Sequence, residues 1–473
     1  MIKKLFSHTF IYGIGNQIPK IAGLFSLPFI TAHLTELDYG VFGVITSYIA
    51  AIEVFAYLGL RVVLINTFYK HRNWFTWVWR EIYGFLIIWN FVFVLFKSLF
   101  LYALMPAEVE NPLWVIFLCV FTGILFGPTA TIGSTFYQIH QKPQQIALRT
   151  IVFGTLTVVF NILFIAYFKM GYIGWFLSIF LVTLGTNLSY VYPIYFKYRI
   201  QPIFKVSYRR IRKYLKVTLP TIPHFYANFL LNTSDKLVMQ KLAVPIGDIG
   251  KYTAAYTVGN FFQSIGTVAG FAISPLLYES YRKKDEYGAR RLVWVLQITF
   301  FIATFAASLW MKELFQLLIR NATLAATYPM GILIVMAYNY RAIYFGAVDK
   351  LIYHEKTQVL WRITFVAGVL NIISNLILIP LYGFEIAAVT TFFSLMFMGY
   401  SGYYLKDYKA HATVSYYPMA WLLATVVLTV VVYQLRDLPV LYKGLLSAVS
   451  FLVLVVLGLR YFKTALRKII SRS

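Results

Sequence analysis

Long apolar runs separated by short polar segments dominate this chain. A hydrocarbon core about 30 Å thick needs roughly 20 residues of helix at about 1.5 Å per residue. Runs of that order lie near 8–34, 41–66, 82–104, 113–137, 150–168, 170–196, 217–240, 252–278, 292–311, 326–348, 363–381, 384–405, 413–435 and 440–459. They predict an all-α integral membrane protein of about 14 transmembrane helices. The alternating strands of a transmembrane β-barrel, about ten residues each, have no counterpart. Two close pairs, 150–196 and 363–405, require tight turns at Lys169–Gly171 and Tyr382–Gly383. The first run follows Lys3 and Lys4 but is too long for a signal-peptide core and lacks a small-residue cleavage site, so it counts as a span.

Composition agrees. The 473 residues are 60% hydrophobic and 12% charged, whereas soluble domains carry about 25% charged residues. Mean hydropathy is +0.70. An ordinary cytosolic enzyme and a disordered chain are excluded. Lys and Arg number 42 against 17 Asp and Glu, a net charge of +25. In a soluble protein that surplus would suggest nucleic acid, but its placement points to the membrane. Thirty basic residues fall in segments on one side, and only Lys169, Lys241, Lys251, Lys312, Arg320, Arg436 and Lys443 on the other. The positive-inside rule makes the richer side cytoplasmic, with both termini there, and no nucleic-acid partner is needed. The basic segment 197–216 reads as stop-transfer charge that also touches anionic lipid headgroups. Cys119 is the single cysteine, so no intramolecular disulfide forms, and the seven histidines are too scattered to predict a metal site.

The two halves echo each other. Asp38-Tyr39-Gly40 recurs as Asp248-Ile249-Gly250, an offset of 210, and Gly171–Gly174 recurs as Gly383–Ile386, an offset of 212. Ile18-Pro19-Lys20 is echoed by Ile222-Pro223-His224, and Asn161 and Asn375 precede the respective glycines of the second pair. Six spans per unit keep both copies in the same orientation, which makes this a parallel repeat, a transporter design with a substrate path between the halves. The expected organisation is a six-helix lobe over 1–200, a basic linker at 201–216, a second six-helix lobe over 217–410, and two additional helices with a basic tail over 411–473.

The residues carrying the repeat also carry a resemblance. Glu36 to Gly43 (E-x-D-Y-G-V-F-G), Asn232-Thr-Ser-Asp-Lys236, Gly250-Lys-Tyr-Thr-Ala-Ala-Tyr256 and Asn375 to Gly383 resemble the polysaccharide-lipid flippases of the multidrug/oligosaccharidyl-lipid/polysaccharide exporter superfamily. The likeness covers essentially the whole chain. It implies a two-lobed bundle that is not an enzyme and carries undecaprenyl-diphosphate-linked oligosaccharide from the inner to the outer leaflet of the bacterial inner membrane. Such proteins serve O-antigen, capsule and exopolysaccharide pathways, so further partners are expected among polysaccharide assembly proteins and membrane lipids. No cofactor is expected, beyond proton or sodium coupling.

Ionisable groups inside spans are costly and read as functional candidates. Lys20 sits mid-span beside Pro19, with Asn16 and Gln17 a turn away. Facing a cavity, its ammonium would attract a carrier diphosphate as a point charge; alternatively it pairs with Glu53 of the next span. Arg341 is either cavity-lining or snorkels to the interface, and Arg61 and Lys97, nearer span ends, are expected to snorkel. Asp235 and Lys236 are read either as an ion-coupling carboxylate with its partly neutralising neighbour or as a structural salt bridge. His224 repeats the position of Lys20 and is either a proton switch or a hydrogen-bonded core residue. The substrate-binding candidates are thus Lys20, Arg341, Arg61, His224 and Asn16, and the coupling or structural set is Glu53, Asp235 and Lys236.

Three other classes compete. A cation-coupled multidrug exporter of the same fold typically carries a carboxylate in its first span, where this chain has Lys20. A membrane polymerase or glycosyltransferase needs a substantial outer loop, and the longest here is about 312–325. A channel needs a ring of like charges or a filter sequence, and the repeat supplies neither.

Overall fold

Backbone polar groups in lipid must be satisfied within the segment or within a closed barrel. Every regular element among the described residues is accordingly helical. The computed structural model of the chain describes residues 17–124 and 126–453. In chain order the helices are α1 (17–30), α2 (Glu36–Glu53), α3 (Arg61–Lys70), α4 (Phe75–Ala103), α5 (Pro112–Ile124), α6 (Thr129–Ile139), α7 (Pro143–Asn161) and α8 (Gly171–Val191). They continue with α9 (Tyr208–Thr218), α10 (Ile222–Asn232), α11 (Ser234–Lys241), α12 (Ile246–Arg282), α13 (Glu286–Leu309), α14 (Met311–Leu318) and α15 (Ala322–Ala325). The last are α16 (Tyr328–Ala337), α17 (Tyr340–Tyr353), α18 (Leu360–Tyr382), α19 (Ile386–Ser401), α20 (Lys406–Lys409), α21 (Pro418–Gln434) and α22 (Val440–Val453).

Eight helical stretches among the described residues are each long and apolar enough to cross a bilayer, counting α16 and α17 as one stretch. The chain is a multi-pass membrane protein. Several of the remaining expected spans are broken. Residues 41–66 divide into α2 and α3 around a turn in which Gly59 takes φ +67°. Residues 217–240 divide into α10 and α11 at Thr233. The run 113–137 becomes α5 and α6, bent by 47°. The two expected tight turns are present: Gly171 has φ +52° and Gly383 φ +81°. This left-handed backbone carries no side-chain penalty at glycine, so the helices before and after can fold back on each other.

The backbone groups into two compact units. One takes the chain up to Ala254 together with Leu318–Leu324 and Thr364–Ala387; the other takes Ala255–Leu317, Ala325–Ile363 and the chain from Ala388. The first has an aromatic core of Trp79, Tyr83, Phe136 and Tyr190, with Ile82, Ile132 and Ile194 packed among them. Trp79 Nε1 donates to the Leu64 carbonyl (3.0 Å), and Tyr83 shares a hydrogen bond with Thr129 (2.5 Å), so the polar tips of these rings are satisfied inside the core. In the second unit, polar contacts hold α21 and α22 to earlier helices. Lys443 is fully buried and pairs with Glu313 (2.8 Å), Lys312 pairs with Asp437 (3.0 Å), and Tyr400 and Thr425 share a hydrogen bond (3.0 Å).

Candidate functional site

Within the first unit the glycines of the two echoed D-x-G segments meet. A Cβ on Gly40 of α2 would fall on the carbonyl of Ile246 in α12, and a Cβ on Gly250 would fall on the carbonyl of Glu36. Glycine is required at both positions because the backbones themselves touch, as in close-packed membrane helices. One shift of 210 residues converts the first contact into the second, the same offset that relates Asp38 to Asp248. One turn further on, Gly43 packs against Thr253.

Asp38 secures the start of α2. Its Oδ2 accepts from the backbone N–H and hydroxyl of Thr35 (2.8 and 2.7 Å), closing a capping box. Its Oδ1 accepts the backbone N–H of Tyr172 (2.8 Å), which ties α2 to the start of α8. A side chain at Gly171 would strike this carboxylate. The conversation between the two sequence motifs is therefore a hydrogen bond.

Asp235 lies just after the break that separates α10 from α11. Oδ2 accepts from the Tyr252 hydroxyl (2.6 Å) and Oδ1 from the Asn375 amide (2.8 Å); the same amide nitrogen donates to Asn371 Oδ1 (2.6 Å). Asp235, Tyr252, Asn371 and Asn375 are all buried. Three of the four motif segments thus converge on one carboxylate. Tyr252 and Asn375 belong to those segments but carry no charge to mark them, and Asn371, one turn before Asn375, is marked only by its helical spacing. The cluster offers carboxylate and carboxamide oxygens, the ligand type of hard cations.

The ion pair of Glu53 is made with Lys97 of α4 (3.1 Å). This corrects the expectation that Lys97 snorkels: the residue is 8% exposed and held inside the protein by its partner. The pair borders a cavity of about 100 Å³ that is also lined by Tyr57, Asn90, Thr122 and Asn187. Arg61 is exposed and donates to Gln138 Oε1 (2.6 Å). Lys20 stands on an exposed face of α1, and its neighbour Pro19 fills the space over Gly154 of α7. Arg341, in the second unit, lies over Gly266 with its guanidinium 5.3 Å from the Tyr340 ring centre. Its Nε is buried without a hydrogen-bond partner. Asn16 and the side chain of His224 lie outside the described residues. Among the described residues no group of three or more His, Cys, Asp or Glu could hold a metal ion.

This fold is that of multi-pass membrane transport proteins. The chain is similar to the lipid II flippase MurJ in an inward closed conformation, at TM-score 0.67 and 14% identity over 92% of this chain and 100% of that one. It is also similar to an inward-facing multidrug resistance MATE family transporter of the MOP superfamily, at TM-score 0.64 and 12% identity over 86% and 95% of the two chains. A MOP superfamily transporter from Pyrococcus furiosus, described by the reversed polarity of its binding pocket, aligns at TM-score 0.57 and 11% identity over 90% and 96%. No curated protein sequence matches. The chain belongs to the polysaccharide biosynthesis protein family, whose model matches residues 5–280.

Proposed function

We propose that this protein is a flippase that moves undecaprenyl-diphosphate-linked oligosaccharide from the cytoplasmic to the outer leaflet of the bacterial inner membrane. Family membership carries this reading, and the flippase fold supports it. The charge of the candidate site agrees with it. Lys20 in the first span and Arg341 are cationic side chains of the kind an anionic diphosphate needs. The expected lobes over 1–200 and 217–410 alternate access about this path, 201–216 and both termini are cytoplasmic, and 411–473 adds two helices outside the repeat. Asp235 is the coupling carboxylate: binding of a proton or sodium ion among Asp235, Asn371 and Asn375 changes the charge and hydrogen bonding where α11, α12 and α18 meet. Neither catalysis nor a cofactor is required.

The test is reconstitution into vesicles with a fluorescent lipid-linked oligosaccharide in one leaflet. Movement of the label to the other leaflet, lost in Lys20→Ala and Arg341→Ala, supports the reading. Transport of a cationic drug with no movement of the glycolipid would assign the protein to the multidrug exporters instead.

A further inference from the structure

Helix α9 carries two stripes with the same spacing. Ile211, Tyr214, Leu215 and Thr218, at i, i+3, i+4 and i+7, are buried or half-buried. Tyr214 and Leu215 pack on the aromatic core of the first unit. Arg209, Arg212, Lys213 and Lys216 repeat that spacing on the opposite face and are all exposed. This is the amphipathic period of a surface helix, with every outward position of the stripe cationic.

Among the described residues one carboxylate pairs with α9, and both of its oxygens are used. Glu81 of α4, itself buried, accepts from Arg210 through Nε (2.9 Å to Oε2) and Nη2 (2.8 Å to Oε1) and from the backbone N–H of Ser207 (2.9 Å). Arg210 also stacks over Trp77, 4.5 Å from the ring centre. Between Glu110 and Asp235 the sequence contains no acidic residue. None of the four stripe cations forms an ion pair among the described residues. Large apolar side chains flank the stripe in the open: Phe204, Tyr208, Val217 and Leu219 are all exposed.

A fixed row of cations beside exposed aromatic and aliphatic groups matches the interface of an anionic bilayer, where basic groups meet headgroup phosphates and apolar groups enter the acyl boundary. We propose that α9 is an anionic-phospholipid site: Arg209, Arg212, Lys213 and Lys216 bind lipid phosphates, and the Glu81–Arg210 clamp holds the stripe facing the leaflet. The clamp makes the site part of the fold. The proposal is independent of what the protein transports.

The full-length protein, purified in detergent, would be titrated with phosphatidylglycerol or phosphatidylcholine, and retained lipid counted by native mass spectrometry. The wild type should retain phosphatidylglycerol preferentially. Arg209→Gln/Arg212→Gln/Lys213→Gln/Lys216→Gln should lose at least tenfold in that retention, since each basic group contributes a few-fold. Its thermal unfolding, measured in parallel, should stay close to wild type because the four side chains are exposed and form no ion pair among the described residues. Arg209→Lys/Arg212→Lys should keep most of the retention, as charge is the determinant. Equal retention of the two lipids by the wild type, or unchanged phosphatidylglycerol retention in the fourfold variant, would overturn the proposal. Farnesyl diphosphate provides the other phosphate source. If it displaces phosphatidylglycerol stoichiometrically from the stripe, the site belongs to a carrier diphosphate and the lipid assignment fails.

Discussion

Asn375 donates to the carboxylate of Asp235 at 2.8 Å, although 140 residues separate them in sequence. With Tyr252 on the other carboxylate oxygen, this bond joins α11, α12 and α18. A buried carboxylate is stabilised by such donors and becomes costly when one is removed. Tyr252→Phe should therefore lower stability by about 1–2 kcal/mol, read as a drop in thermal midpoint, while leaving insertion intact.

Asp235→Asn keeps the shape and removes the charge. Coupling at this carboxylate predicts normal expression with loss of gradient-dependent transport in proteoliposomes. Full transport by Asp235→Asn/Lys236→Gln would exclude the coupling role and leave the pair structural.

Lys97 and Glu53 should behave as a unit. Lys97→Met leaves Glu53 beside a polar cavity without its ammonium, and Glu53 is partly exposed, so a loss of about 1–2 kcal/mol is expected rather than the larger cost of a fully buried pair. The exchanged variant Lys97→Glu/Glu53→Lys should recover part of it. A double-mutant cycle with no coupling between the two positions would show that the contact contributes nothing.

The α2–α12 crossing predicts matched outcomes. Gly40→Ala and Gly250→Ala should each cost about 1–3 kcal/mol, the usual range for overpacking, because each Cβ meets a backbone carbonyl. Gly247→Ala, whose Cβ would sit 3.6 Å from the Glu36 side chain, is the control and should be near neutral. Unequal losses at Gly40 and Gly250 would count against the reciprocal geometry.

Asp437 supplies a pH dependence. Hydrogen bonds from Lys312 and Tyr328 hold its carboxyl below the ordinary carboxylate value. A depressed native pKa gives stability that is present above the unfolded value of about 4 and is lost as pH falls below it. The α21–α22 turn should loosen at acid pH, seen as faster proteolysis there, and Asp437→Asn should show that loosening at neutral pH.

The membrane class and the helical runs were legible in the sequence because length and hydropathy report directly on a bilayer. The break at 54–60 is hidden, because apolar residues continue through it and the interruption comes from the turn at Gly59. The break at Thr233 falls in the polar run Asn232–Lys236, which does not by itself distinguish a broken helix from a polar face. Asp235 stood out as a charge in an apolar run. Its partners were hidden, since Tyr252, Asn371 and Asn375 are neutral and meet only after folding. Lys97 differs for a related reason: proximity to a span end suggests snorkelling, whereas its side chain lies on the buried face of the helix Phe75–Ala103 and meets Glu53, a neutralising partner that linear sequence does not show. The basic segment 197–216 was legible as charge alone. That α9 turns four of those charges outward is set by the aromatic core beneath it.

The reciprocal contact of Gly40 and Gly250 has the form of an isologous interface, the kind two identical subunits make about a two-fold axis. Here both partners belong to one polypeptide. Covalent linkage replaces a concentration-dependent association with an intramolecular one, so this pairing does not weaken on dilution. The two segments differ in their other contacts: Asp38 binds Tyr172, whereas Asp248 pairs with Lys251. At the two glycines each backbone is the other's steric limit.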